Sequence, residues 1–132
     1  MSKKVAINPG WEYYEKLTFA PAVRKGNMLF ISGMNACRID PDSGRSIAQG
    51  DIADQTAEIY SRMKEILEAA GASFEDVVAT TDYITISENY KATAEVRRQY
   101  FGESFPASTG VIVNGLLGRG VLIEINAVAV LD

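Results

Sequence analysis

A single carboxylate stands inside the most apolar segment of the sequence. Val121–Leu131 reads VLIEINAVAVL, a pattern that predicts a buried β-strand, yet it contains Glu124. An ionised carboxylate is costly to bury unless the position has a use. Such a group can hold a water molecule or carry a proton, so Glu124 is the first candidate for chemistry. The alternative is a glutamate that points into water, since β-strands often keep one polar face.

The residue types that the chain lacks exclude several classes of catalytic site. The chain has no histidine and a single cysteine, Cys37. A Ser-His-Asp triad, a Cys-His dyad, a histidine-ligated metal and a thiolate zinc site are therefore excluded within one chain. No evident base lies near Cys37 in the sequence, and we expect it to be a bystander. Carboxylates, tyrosines and lysines remain as proton carriers.

The composition predicts one soluble domain over residues 1–132. The chain is 47% hydrophobic and 23% charged, which is ordinary for a globular protein. Its net charge of −4 argues against a nucleic-acid partner, because phosphate binding needs clustered positive charge. No segment is long and apolar enough to cross a bilayer, and MSKKVAINPG lacks the apolar core of a signal peptide. With one cysteine and no internal disulfide, a cytoplasmic protein without a membrane partner is expected.

A sheet with helices must position Glu124. The clearest helix is predicted over Asp51–Ala70, with Asp51 as its N-cap and apolar residues at helical spacing. A second helix is predicted from Glu88 to Phe101, capped by Ser87. Strands are predicted over Met28–Ser32, Val77–Ile86, Phe105–Val113 and Val121–Leu131, and a turn over residues 40–44. Helices gathered on one face of a largely antiparallel sheet make an α+β layout.

The last strand has two different faces. Phe105–Val113, FPASTGVIV, is predicted to be its partner in a hairpin. Alternation of side chains puts Glu124 and Asn126 on one face, about 7 Å apart. The sheet has apolar residues on both faces, and the helices cover only one of them. A second copy of the chain is expected to cover the other face, so we predict an oligomer whose subunits pack sheet to sheet.

Three stretches resemble the RidA/YjgF family of enamine and imine deaminases. They are Pro21–Gly33, PAVRKGNMLFISG; Asp51–Thr85, which includes AAGASFEDVVATTDYIT; and Phe105–Val130, which runs from FPASTGVIV to VLIEINAVAV. The resemblance implies a chorismate-mutase-like fold with a mostly antiparallel six-stranded sheet and two helices on one face. It also implies a homotrimer with clefts between subunits, and hydrolytic deamination without a metal or an organic cofactor. The family's water-holding glutamate falls on Glu124.

The sequence departs from the family pattern where those enzymes bind the substrate carboxylate. The arginine that follows the Pro-Ala pair in the family falls on Ser108, so its bidentate clamp is missing. Ser108 and Thr109 offer hydroxyls for a neutral polar group instead. The resemblance also assigns the aromatic lining of the cleft to Phe19, where tyrosine is usual. It assigns backbone and hydroxyl contacts to Ser32 and Gly33.

Another arginine is an alternative replacement for the clamp. Arg119 lies in the loop of the predicted hairpin, and Arg97 and Arg98 lie on the second helix. The other interpretation is that all three are solvated surface residues. Arg119 and Asn126 complete the predicted substrate-binding set.

Two functions follow for the predicted cleft. The first is a hydrolase or deaminase that acts on a small imine, enamine or related unsaturated metabolite, with Glu124 positioning water. The alternative is a trimer that binds or senses a metabolite without turning it over. RNA cleavage has been attached to relatives of this family, and the acidic charge and absence of histidine argue against it here.

Overall fold

The computed structural model describes residues 3–132 and has two sheets and two α-helices within that range. The strands are β1 (Val5–Ile7), β2 (Ala22–Lys25), β3 (Met28–Met34), β4 (Cys37–Ile39), β5 (Ser46–Ala48), β6 (Val77–Ile84), β7 (Ala107–Ile112) and β8 (Ile123–Val130). The helices are α1 (Ile52–Ala69) and α2 (Thr93–Phe101), with 3₁₀ turns at Glu12–Lys16, Phe74–Asp76 and Tyr90–Ala92.

The large sheet has six strands in the order β1-β2-β3-β8-β6-β7. Neighbouring strands are antiparallel except β6 and β7, which are parallel. β4 and β5 pair separately around the turn predicted near residue 42. The mostly antiparallel six-stranded α+β sheet expected from the sequence is confirmed.

The predicted hairpin between Phe105–Val113 and the last strand is wrong. β8 lies between β3 and β6, and β7 lies at the sheet edge on the far side of β6. The reason is the connection, because α2 joins β6 to β7 and a helical crossover makes the two strands parallel. Residues 113–122 then carry the chain back past β6 to the middle of the sheet.

The first helix begins and ends close to the predicted residues. Asp51 caps it, with its carboxylate accepting from the Asp54 N–H at 2.8 Å while the Asp54 carboxylate accepts from the Asp51 N–H at 3.1 Å. Gly71 follows the helix with a φ of 73°, a left-handed conformation that glycine adopts without strain. The buried face of α1 includes Ile52, Ile59, Tyr60, Met63, Ile66 and Leu67.

The second helix is shorter than predicted. It begins at Thr93 rather than Glu88, and Ser87 does not cap it. Asn89 has a φ of 61°, a left-handed conformation that interrupts a helix, and a 3₁₀ turn follows it. The end is as predicted, since Gly102 has a φ of 62°.

β8 alternates between two faces as predicted. Ile123, Ile125, Ala127 and Ala129 are buried against the helices. The opposite face, here called the outer face, carries Glu124 and Asn126, which are half-buried. Nothing within residues 3–132 forms a helix of the length and hydropathy needed to cross a membrane.

Candidate functional site

Glu124 lies across the sheet from a glycine in an irregular part of β3. The pairing of β3 with β8 shifts between Ile31 and Met34, which places Gly33 at the irregularity. A Cβ added at Gly33 would lie 3.0 Å from the Glu124 Cδ and would also meet the carboxylate oxygen Oε2. The carboxylate therefore occupies the space that a side chain at position 33 would fill, and glycine is required for it to lie there.

Hydrogen bonds from Ser32 fix a second segment beside Gly33. The Ser32 hydroxyl donates to the Ala20 carbonyl at 2.6 Å, and the Ser32 N–H donates to the Pro21 carbonyl at 2.9 Å. Phe19 is the residue before Ala20, so its backbone adjoins this segment. The Phe19 side chain is 54% exposed. Gly33 and Glu124 are thus neighbours in one chain, and Ser32 is the residue before Gly33.

Two tyrosines beside Glu124 were not predicted. Tyr83 lies directly opposite Glu124 in the antiparallel pairing of β6 with β8. Side chains at such positions have Cβ atoms about 5 Å apart and contact each other. Tyr14 packs edge-to-face on Phe19, with ring centroids 5.8 Å apart. The aromatic run WEYYEK is a feature of the sequence from which Tyr14 could have been suggested as a site residue. Tyr83 could be found only from the strand register.

Compared with water, the environment of Glu124 favours the protonated form of its carboxyl group. Burial raises the pKa of the Glu124 carboxyl above its ordinary value. Burial also raises the pKa of Tyr14, with smaller contributions from Tyr13 and from Glu124, while Arg62 lowers it. No lysine or arginine of the described chain forms an ion pair with Glu124. A carboxylate in this state is suited to accept a proton from a bound water.

Asn126 and Thr109 share the outer face with Glu124. Asn126 lies opposite Thr81, and Thr81 lies opposite Thr109, so the three form a row across β8, β6 and β7. Thr109 is therefore two strands away from Asn126, or about 10 Å. The amide oxygen of Asn126 is buried and has no hydrogen-bond partner within the described residues. An unpaired buried oxygen is costly, and a polar ligand atom or water on this face would satisfy it.

Ser108 is not brought to Glu124 within one chain. Ser108 lies opposite Thr80, whose side chain is buried on the helix side of the sheet. Ser108 and Glu124 are thus on opposite faces, with β6 between their strands. The hairpin that predicted them to face each other does not exist. A site that uses both residues needs a second copy of the chain.

The three candidate arginines do not approach Glu124. Arg119 lies in the 113–122 loop, where its carbonyl accepts from the Ala48 N–H at 2.9 Å, so it stands beside β5. Arg97 donates to the Thr93 hydroxyl at 2.6 Å and lies 3.7 Å from Asp82. Arg98 pairs with Glu95 at 3.2 Å on an exposed helix face. The predicted replacement of the clamp by one of these residues is not supported within one chain.

The surface around Glu124 is open in a single chain. A concavity of about 330 Å³ lies elsewhere, beside the β4–β5 hairpin. Two of its charged groups, Arg38 and Glu58, pair with each other at 2.6 Å. Residues 3–132 contain no group of three or more His, Cys, Asp or Glu placed to hold a metal ion.

Comparison with known proteins gives consistent results. A family model described as Endoribonuclease L-PSP matches residues 14–131. A RutC family protein of Pyrococcus horikoshii is 44% identical over 111 residues, which are 84% of this chain and 85% of that protein. The human 2-iminobutanoate/2-iminopropanoate deaminase is 35% identical over 112 residues, 85% of this chain and 79% of the human protein.

A solved structure extends the similarity to almost the whole chain. A Mycobacterium tuberculosis member of the YjgF/YER057c/UK114 family superposes with a TM-score of 0.80 at 29% identity, covering 98% of this chain and all of that one. The fold and the sequence match agree with one another. The chain belongs to the RidA/YjgF family.

Proposed function

We propose that this protein is a hydrolytic deaminase of small imines or enamines, with Glu124 positioning the attacking water. The observation that carries the proposal is the carboxylate of Glu124 held over Gly33, half-buried and without a cationic partner in the described chain. A relative named as a 2-iminobutanoate/2-iminopropanoate deaminase supports an imine-deaminase type of function in general.

The reaction needs one proton carrier. Water adds to the carbon of R₂C=NH₂⁺ while ionised Glu124 accepts one of its protons. The resulting carbinolamine receives that proton on nitrogen, the C–N bond breaks, and R₂C=O and ammonium leave. Glu124 ends the cycle ionised, so no oxidant, metal or organic cofactor is consumed.

We propose further that the working form is a cytoplasmic homotrimer with the site between subunits. The support is an outer face that leaves Phe30 45% and Val78 47% exposed, and an edge strand β7 whose six residues are all exposed. Large apolar side chains on an open sheet face favour burial by another copy. Contact through the exposed edge strand would also bring Ser108 and Thr109, whose side chains lie on opposite faces of β7, to the boundary between copies.

A non-catalytic metabolite-binding or regulatory trimer is the second candidate. It is favoured by Ser108, which stands where the deaminases of the family have a carboxylate-binding arginine. RNA is a less suitable ligand, because Glu124 and its aromatic neighbours place a negative charge where phosphates would have to bind.

The proposal is tested by measuring the rate of ammonia release from imines that an amino-acid oxidase or an amine oxidase has freshly generated. We expect Glu124→Gln to reduce the acceleration about 100-fold or more, the usual contribution of a general base. Glu103→Gln, at an exposed position after α2, is the matched control and is expected to behave as the parent. Acceleration that survives Glu124→Gln excludes this role for Glu124. Binding without acceleration for every imine favours the second candidate, and a monomer in sedimentation refutes the trimer.

A further inference from the structure

No arginine or lysine among the described residues forms an ion pair with Glu124. Five arginines are held by other partners: Arg24 by the Gly26 carbonyl, Arg38 by Glu58, Arg62 by the Asn35 and Cys37 carbonyls, Arg97 by Thr93 and Asp82, and Arg98 by Glu95. Arg119 stands beside β5. No guanidinium of residues 3–132 is therefore held against Glu124 as the bidentate fork that recognises a carboxylate.

The groups that do surround Glu124 are aromatic. Tyr83 lies directly opposite it on the neighbouring strand. Tyr14 lies near enough for the charge of Glu124 to raise its pKa, and Phe19 packs edge-to-face on Tyr14. The faces of aromatic rings carry partial negative charge, which attracts cations and apolar groups and repels anions. Glu124 adds a full negative charge when it is ionised. The site as a whole is therefore complementary to a cation with an apolar substituent.

An imine without a carboxylate and a 2-imino acid differ in the charge that they bring to this site. The protonated imine nitrogen is a cation that pairs with Glu124 in either compound. A 2-imino acid adds a carboxylate on the reacting carbon, which would lie near the Glu124 carboxylate without a cation to compensate it. Like charges held this close in a partly desolvated site repel each other strongly.

We propose that this site takes imines that carry no carboxylate and that have an apolar or aromatic substituent. These are the products of amine oxidation rather than of amino-acid oxidation. The reaction is R–CH=NH₂⁺ + H₂O → R–CHO + NH₄⁺, which balances without any further reactant. This inference rests on the proposed deaminase function and specifies its substrate class.

Two imines that differ only in the carboxylate provide the test. An amine oxidase generates one from 2-phenylethylamine, and an L-amino-acid oxidase generates the other, 2-imino-3-phenylpropanoate, from phenylalanine. Hydrolysis is followed as ammonia release and as the loss of imine available for trapping by semicarbazide. Glu124→Gln protein at the same concentration gives the rate that the protein surface alone produces.

We expect the unmodified protein to favour the carboxylate-free imine by at least tenfold in kcat/KM, which corresponds to about 1.4 kcal/mol. Ser108→Arg is expected to shift the preference toward the 2-imino acid, while Ser46→Arg, an exposed position on β5, leaves the ratio unchanged. A Glu124-dependent preference for the 2-imino acid overturns the substrate class and leaves the deaminase function standing. No Glu124-dependent acceleration of either imine overturns both.

Discussion

The carboxylate of Glu124 lies in the space that any side chain at Gly33 would occupy. The contact joins the central strand β8 to the irregular part of β3 and determines where the carboxylate points. Because the atoms that a Cβ at Gly33 would meet are the far end of a flexible side chain, Glu124 can move away at little cost in stability. Position 33 therefore controls the chemistry of the site more than its folding.

Gly33→Ala is expected to lower imine hydrolysis at least tenfold, because the new methyl group displaces the carboxylate. The free energy of unfolding should change by less than about 1 kcal/mol, since Glu124 alone must move. Gly115→Ala is the matched control, as a Cβ there meets nothing within 4 Å. Activity and urea unfolding of both variants check the prediction, and full activity in Gly33→Ala would contradict it.

The pH dependence of the rate should report the ionisation of Glu124. As general base it acts when ionised, so the rate rises with pH through its pKa, which burial raises above the ordinary glutamate value. The acidic limb of the kcat/KM profile should therefore lie above that ordinary value. A limb at or below it would contradict the assignment.

The free energy of unfolding should also depend on the ionisation of Glu124, but in the opposite direction to the rate: it should fall as the pH rises. A raised pKa means that the folded protein binds the Glu124 proton more tightly than the unfolded chain. Glu124 therefore contributes most to the free energy of unfolding at pH values below the ordinary glutamate pKa. That contribution is lost as the pH rises toward the raised pKa of the folded protein. Glu124→Gln should be more stable than the parent at neutral pH and should lose that advantage in acid, as measured by urea unfolding at both pH values.

Tyr90→Phe is expected to destabilise the protein through Asp82. The Tyr90 hydroxyl donates to the Asp82 carboxylate at 2.6 Å, and Asp82 is fully buried. Loss of this bond leaves a buried acceptor unpaired, at a cost of about 1–3 kcal/mol in the free energy of unfolding. Tyr13→Phe is the control, because the Tyr13 side chain is 64% exposed.

The size of the Tyr90→Phe effect should depend on pH. Burial raises the pKa of Asp82, while the hydrogen bond from Tyr90 and the charge of Arg97 lower it in part. The ionised carboxylate needs the Tyr90 bond more than the protonated acid does. The destabilisation should therefore be larger at pH 8 than in acid, below the ordinary aspartate pKa. Equal destabilisation at both pH values would refute this account.

Gln55→Ala should destabilise the sheet next to Glu124. The Gln55 amide donates to the Gly120 carbonyl at 3.0 Å and accepts from the Leu122 N–H at 2.9 Å, which ties α1 to the beginning of β8. The side chain is 1% exposed, so the freed backbone groups remain buried. We expect a loss of about 2 kcal/mol or more in the free energy of unfolding. Gln99→Ala, on an exposed part of α2, should stay near the parent.

The local features of the fold followed from the sequence, because each depended on neighbours in the chain. Helical spacing and the Asp51 cap predicted α1, and alternation placed Glu124 and Asn126 on one face. The pairing of the strands could not be predicted from the sequence in the same way. Whether β8 would lie beside β7 or between β3 and β6 depends on contacts far apart in the chain, and the nearer strand was the wrong partner.

The same limit applied to the site. Gly33 was named through a resemblance, and it lies against Glu124, which the strand pattern had already singled out. Tyr83 was missed because its place opposite Glu124 is a consequence of register, which a single sequence does not determine. Ser108 was placed opposite Glu124 by the same error of pairing.

The central place of β8 also determines how the sheet can form. β3 and β6 each pair with β8 and not with each other, so β1–β3 and the β6–α2–β7 unit have no sheet contact until residues 123–130 insert between them. Contacts of long sequence separation are slow to form, because the intervening chain must first be ordered. Until residues 123–130 are in place, the facing edges of β3 and β6 have no partner in the sheet, so the insertion of β8, rather than the formation of α1, completes this fold.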